Sequence, residues 1–175
     1  MLILIMGQNS SGKSAWAEKL AVQLQQGRLI YIATMIPDGE EGRARVARHR
    51  EARQHSGFIT MEIPWRLADA DVLARDTVLL EDVANLTANM IFAAAAPADT
   101  RAVLDNIQTL TGRCQALLAV SIAGIEPLAT YDAPTLHFIE VLKKVNDGLF
   151  TMADTVYEMA DGRPLLRKGA KPCRC

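Results

Sequence analysis

Residues 1–14 read MLILIMGQNSSGKS, an apolar run followed at once by glycines, serines and a lysine. Leu2 to Met6 shows no polar/apolar alternation and is bounded by Gly7, the pattern of a short strand buried on both faces. From Lys13 onward Trp16, Ala17, Leu20, Ala21 and Leu24 recur at helical spacing, and Gly27 closes the segment. Between strand and helix, Gly7-Gln8-Asn9-Ser10-Ser11-Gly12-Lys13-Ser14 satisfies G-x-x-x-x-G-K-[ST] at every defined position. The physical reading is a phosphate cradle. Glycines let the backbone wrap an anion, successive N–H groups and the positive helix end point at the phosphates, Lys13 reaches the β and γ oxygens, and Ser14 ligates Mg²⁺. The strand before and the helix after separate this stretch from a Gly/Ser turn that happens to carry a lysine.

Working outward, strands alternate with helices. LIYIAT (29–34), TVLLED (77–82) and ALLAVSIA (116–123) read as strands; Leu86–Ala96, Thr100–Arg113 and Thr135–Ala153 read as helices. The last of these carries Leu136, Ile139, Leu142, Val145 and Leu149 on one side. TVYEMA (155–160) and PLLRK (164–168), separated by Asp161-Gly162-Arg163, read as a terminal hairpin. The expectation is an α/β fold: one domain over residues 1–175 with a mostly parallel sheet, helices on both faces and a C-terminal antiparallel hairpin.

Composition narrows the partners. Half of the 175 residues are hydrophobic, 22% are charged and the formal net charge is −1, so the chain reads as an ordinary globular protein without a nucleic-acid-binding face. The longest apolar run, Met90 to Ala96, is far below the ~20 residues that span a bilayer. The N-terminal apolar segment has no basic region before it and runs straight into the loop, which does not suit a signal peptide. A cytoplasmic location is expected. Of three cysteines, Cys114 is expected in a helix, and Cys173 and Cys175 form a CRC tail whose spacing suits neither a disulfide nor a metal set, so a reduced tail is expected.

A phosphate cradle needs a metal-side carboxylate, which in such sheets stands at the end of a neighbouring strand. Glu81 and Asp82 end TVLLED; Glu81 is the candidate, while Asp82 is placed to cap the next helix. The stretch Asp38–His55 is dense in charge and reads as a loop leading into an exposed helix. Within it, RARVARHREAR (43–53) holds five arginines and His49. Two readings fit: a solvated helical face with weak i,i+4 pairs, or a cluster that neutralises phosphate beside a histidine able to attack it and form a phosphoramidate. The pattern does not choose between them. His55 and His137 have no neighbours that suggest chemistry.

The full order comprises a strand-borne phosphate loop, YIAT, His49-Arg50-x-x-Arg53, a Leu-Leu-Glu strand with Asn89 in the following helix, Val145-Asn146 in a long helix and a short terminal hairpin. It resembles the bifunctional adenosylcobinamide kinase/adenosylcobinamide-phosphate guanylyltransferase family of cobalamin assembly, over nearly the whole chain. That resemblance implies a RecA-like P-loop sheet assembled as a homotrimer, with a corrinoid and a nucleotide as small-molecule partners. ATP or GTP with Mg²⁺ would phosphorylate adenosylcobinamide; GMP from GTP would then pass through a histidine to the cobinamide phosphate. By position, Gly7, Gly12, Lys13 and Ser14 match the loop, His49 the guanylylated histidine, and Glu81 the acid after the third strand. The catalytic set is then His49, Lys13 and Glu81, the metal set Ser14 and Glu81, and the nucleotide-binding set residues Gly7, Gln8, Asn9, Ser10, Ser11, Gly12, Lys13 and Ser14 with Arg50 and Arg53.

The chain departs from the family in places. Gln8 and Ser10 stand where the family loop has glycine and arginine; Ser121-Ile122-Ala123-Gly124 replaces Asn-Glu-Val-Gly; Phe138-Ile139-Glu140 replaces Phe-Arg-Asp; and Asp147 follows Val145-Asn146 in place of glutamine. Two further functional readings use the same residues: a P-loop kinase of another small molecule, and a nucleotide-binding paralogue without catalysis. No Asn-Lys-x-Asp guanine motif is present, so GTP enters through the resemblance alone.

Overall fold

The computed structural model describes residues 1–37, 39–40, 56–93 and 98–172. Seven strands form one sheet: β1 (Leu2–Gly7), β2 (Leu29–Ala33), β3 (Phe58–Glu62), β4 (Thr77–Glu81), β5 (Ala116–Ile122), β6 (Thr155–Ala160) and β7 (Arg163–Lys168), in the order β3-β2-β4-β5-β1-β6-β7. Every neighbouring pair is parallel except β6–β7. Parallel neighbours need crossovers, and helices α1 (Lys13–Leu24), α2 (Val83–Phe92), α3 (Thr100–Thr111) and α4 (Ala133–Met152) serve in them. The expected α/β sheet with its terminal hairpin is what the residues build.

Both faces are covered, by different amounts of helix among the described residues. Alternation along each strand sends Ile3, Ile5, Leu79, Leu118 and Val120 to one side, where Ala17, Leu20, Ala21 and Leu24 of α1 meet them. The opposite set, including Leu4, Ile32, Leu80 and Leu117, packs against α2, α3 and α4 through residues such as Leu86, Ile107 and Val145. The central strands are therefore apolar throughout, and their register is fixed from both sides. At the base of the sheet Asp76, only 1% exposed, accepts hydrogen bonds from Arg28 N, Nε and Nη2 and from Leu73 N. Burial pushes the Asp76 carboxyl up, but the hydrogen bonds from Arg28 and Leu73 outweigh it and hold the group below the usual range.

Some boundaries differ from the sequence expectation, each for a local reason. β3 has no counterpart there: FITME is a mixed, half-exposed edge strand without a continuous apolar run, and its pairing with β2 decides it. Asp82 caps α2 at Asn85 N (2.7 Å), so the helix starts at Val83 and not at Leu86. Asp132 caps α4 at Thr135 N, with Pro134 in its first turn, so that helix starts at Ala133. Cys114 lies in the turn after α3, outside the helix, and is buried. Burial pushes its thiol up to about 11, so it stays protonated at neutral pH. Cys173 and Cys175 lie outside the described residues.

Leu118 is 0% exposed at the centre of β5 under α1. Leu118→Ala is expected to cost about 2–5 kcal/mol, read as a lower urea midpoint at unchanged m value. A loss under about 1 kcal/mol would contradict the packing described.

Candidate functional site

The carboxyl ends of β1 and β4 carry the residues that matter, two strands apart with β5 between them. β1 delivers Gly7 to the sheet edge, and the loop that follows turns back tightly. A Cβ on Gly7 would stand 2.6 Å from Ser11 Oγ and 3.0 Å from Met159 O, so only glycine permits that approach. Ser10 and Gly12 take left-handed backbone, φ 61° and 81°, and Ser11 N donates to Gln8 O at 3.3 Å. Gly12 O then accepts from Trp16 N at 3.0 Å, the first turn of α1. Successive backbone N–H groups and the positive end of a 12-residue helix converge on this loop.

Lys13, Ser14 and Glu81 meet at its mouth. Lys13 is 9% exposed, and its Nζ donates to Gln8 O at 3.1 Å within the loop itself. Ser14 Oγ donates to Glu81 Oε1 at 2.5 Å. The second oxygen, Glu81 Oε2, is buried with no hydrogen-bond partner among the described residues. Burial pushes the Glu81 carboxyl up to about 7; the Ser14 hydroxyl and the nearby Lys13 ammonium pull it down only in part. An orphaned carboxylate oxygen beside a serine hydroxyl is an oxygen-only donor pair. That suits a hard divalent cation such as Mg²⁺, which takes one or two protein ligands and fills its remaining positions with phosphate oxygens and water. The residues present fit that ion.

Glu81 is aimed by its neighbours. Thr34, at the end of β2, donates through Oγ1 to Asp82 O (2.8 Å) and accepts from Asp82 N (2.8 Å), and its N donates to Glu81 O (3.1 Å). Asn89 of α2 donates to Thr34 O (2.7 Å) and Pro64 O (3.1 Å). YIAT and Asn89 thus brace the strand end that presents the carboxylate. Asp82 does the capping work, leaving Glu81 as the acid that faces Ser14.

Of the expected site residues, the structure brings together Gly7, Gln8, Asn9, Ser10, Ser11, Gly12, Lys13, Ser14 and Glu81 at one edge of the sheet. His49, Arg50 and Arg53 lie outside the described residues, as does His55. Two clefts flank the loop. One of about 530 Å³ runs between the loop and the Asp161-Gly162 turn of the β6–β7 hairpin. The other, of about 900 Å³, opens between α4 and the segment after β5. The second is not legible in the residues alone, because apart from Met6 its walls come from residues more than a hundred positions from the loop.

The altered segments can also be placed. Ser121 Oγ donates to Asn146 Oδ1 at 2.7 Å, and Asn146 Nδ2 donates to Ile122 O at 2.9 Å, fastening the end of β5 to α4. Ile139 is 7% exposed and lines the larger cleft.

A family model described as cobinamide kinase/cobinamide phosphate guanyltransferase matches residues 3–166. The chain belongs to that family. Within it, the bifunctional adenosylcobalamin biosynthesis protein CobU of Salmonella typhimurium is 31% identical over 179 residues, covering 93% of this chain and 97% of the relative. Among solved structures, the flagellar accessory protein FlaH of Methanocaldococcus jannaschii superposes with a TM-score of 0.54 over 96% of this chain and 78% of its own, at 13% identity. That likeness concerns the fold alone. No helix among the described residues of this family member is long and apolar enough to cross a membrane.

The raised Glu81 carboxyl predicts two opposite pH trends. Its folded value, about 7, exceeds the ordinary 4.5, so the stability held by the protonated form is full below about pH 4.5 and is lost as pH rises through about 7. A metal-bound nucleotide held through Glu81 would need the carboxylate, so its binding should strengthen over the same rise. Between pH 8 and pH 6 the affinity of wild type for Mg²⁺–nucleotide should fall roughly tenfold more than that of Glu81→Gln, the variant serving to cancel the nucleotide's own ionisation. Parallel titration curves for the two proteins would contradict the assignment.

Proposed function

We propose that the chain performs two successive transfers onto one acceptor: phosphorylation of adenosylcobinamide by ATP or GTP, then guanylyl transfer from GTP to adenosylcobinamide phosphate through a GMP–His49 intermediate, in cobalamin biosynthesis. The observation that carries the reading is the buried Lys13 beside the half-buried Ser14–Glu81 pair at the mouth of a phosphate loop, in a chain of this family. The Salmonella relative, named for a bifunctional role in adenosylcobalamin biosynthesis, supports it.

In the first transfer the aminopropanol hydroxyl oxygen attacks the γ-phosphorus, the bond to the β–γ bridging oxygen breaks to release the nucleoside diphosphate, and the hydroxyl proton passes to solvent. Loop N–H groups and Lys13 hold the charge that spreads over the phosphoryl oxygens; a phosphate oxygen would take the place of Gln8 O as acceptor for Lys13 Nζ. Ser14 and Glu81 would hold Mg²⁺, which when bound neutralises charge on the β and γ oxygens. In the second transfer a neutral His49 imidazole nitrogen attacks the α-phosphorus of GTP, forming a P–N bond as pyrophosphate leaves. The substrate phosphate oxygen then attacks the same phosphorus and releases the histidine. Arg50 and Arg53, adjacent in sequence to His49, would offset phosphate charge.

Incubation with Mg²⁺ and α-labelled GTP, followed by intact mass, is expected to give an acid-labile GMP adduct on wild type and none on His49→Ala. Lys13→Ala should lower adenosylcobinamide-dependent ADP formation at least ~100-fold, while His49→Ala retains it. An adduct surviving in His49→Ala, or no adduct on wild type, would sink the histidine step; a fully active Lys13→Ala would sink the kinase assignment.

A further inference from the structure

The phosphate loop accounts for a triphosphate and leaves the acceptor without a seat. The larger cleft, about 900 Å³, lies at the upper end of the range for small-molecule sites, roughly 300–1,000 Å³. It begins beside the loop: Met6 of β1 lines it, and Gly124 sits where an added Cβ would be 3.6 Å from Gln8 Nε2. Ala123 and Gly124 are shared with the smaller cleft, so the two spaces meet at the loop. A ligand in the larger one could therefore present one end to the γ-phosphate.

Its lining is amphiphilic. Ile122, Ile125, Leu136, Ile139 and Leu142 make the apolar wall, and the buried Ile139 keeps charge away from its centre. The polar groups sit at the rim and differ in availability. Glu140 is committed to Lys144 at 2.6 Å, and the Asn146 amide to Ser121 and Ile122. The Glu126, Lys143 and Asp147 side chains make no hydrogen bond or ion pair with another described residue, the Asp147 backbone carbonyl alone accepting from Thr151 Oγ1. Two free carboxylates against one free ammonium disfavour a polyphosphate and favour a neutral or cationic ligand carrying N–H donors.

We propose that the cleft between α4 and the segment after β5 seats the phosphoryl acceptor, a large amphiphilic alcohol bearing amides, with Lys143 and Asp147 as positioning residues at its polar rim. The inference rests on the cobinamide reading above and gives that substrate its place. The macrocycle lies on the apolar wall, peripheral amide N–H groups donate to Asp147 and Glu126, an amide carbonyl accepts from Lys143, and the hydroxyl-bearing arm points past Gly124 to the loop.

The test is steady-state kinase kinetics with ATP and adenosylcobinamide, each KM measured separately, on wild type, Leu136→Trp, Asp147→Ala, Lys143→Ala and Lys143→Arg. Leu136 is 37% exposed and Lys143 and Asp147 lie on the surface, so the substitutions leave the core intact. Leu136→Trp fills the cleft and should raise the adenosylcobinamide KM at least tenfold, with the ATP KM within twofold. Asp147→Ala and Lys143→Ala should raise the corrinoid KM three- to tenfold at unchanged kcat, and Lys143→Arg should recover most of that loss. An unchanged corrinoid KM in Leu136→Trp overturns this seat and leaves the cobinamide reading standing. An ATP KM that rises in step overturns it in favour of a nucleotide subsite. Absence of corrinoid-dependent turnover in wild type overturns the cobinamide reading, and this inference with it.

Discussion

A 2.5 Å hydrogen bond from Ser14 to Glu81 ties the first turn of α1 to the end of β4, and the chemistry of the site depends on what that contact leaves unpaid. One carboxylate oxygen is held; the other is buried and orphaned. Leaving such an oxygen bare costs free energy of the order of 1–3 kcal/mol, which a bound cation would recover. The raised Glu81 carboxyl expresses the same tension as a protonation preference. Folding places an acid where it is uncomfortable alone and comfortable beside a metal.

The parallel sheet makes that placement possible. Because β1, β4 and β5 all point the same way, their carboxyl ends gather the loop, the acid and the Ser121–Asn146 clasp along one edge. The apolar strands are locked by helices on both faces, so the edge is presented by a rigid platform. Thr34 and Asn89 extend that rigidity to the backbone of Glu81 and Asp82. Among the described residues the helices are unequally divided, one against three, and α4 on the crowded face leaves the larger cleft where it parts from the segment after β5.

Much of this was legible in the residues, for identifiable reasons. The phosphate loop is a local object: its glycines, its lysine and its flanking strand and helix occupy 23 consecutive positions, so periodicity and spacing reveal it. Glu81 was legible because a strand ending in two acids offers only two candidates, and Asp82 has the spacing of a helix cap. β3 was not legible, since FITME becomes a strand by pairing with β2 and carries little preference of its own. The cap of α2, Asp82, was legible, but the helix start was set three residues late, at the apolar run that begins at Leu86. The larger cleft was invisible for a deeper reason: Met6, Ile122 and Leu142 line one space only after three distant segments pack together. His49, Arg50 and Arg53 rest on motif and resemblance.

The most direct measurement is Mn²⁺ electron paramagnetic resonance, with Mn²⁺ in place of Mg²⁺ and a non-hydrolysable GTP analogue. The account predicts one tightly held Mn²⁺ per chain, taken up only with the analogue present, and affinity at least tenfold weaker in Glu81→Gln. Equal Mn²⁺ uptake by wild type and Glu81→Gln in the presence of the analogue would contradict it.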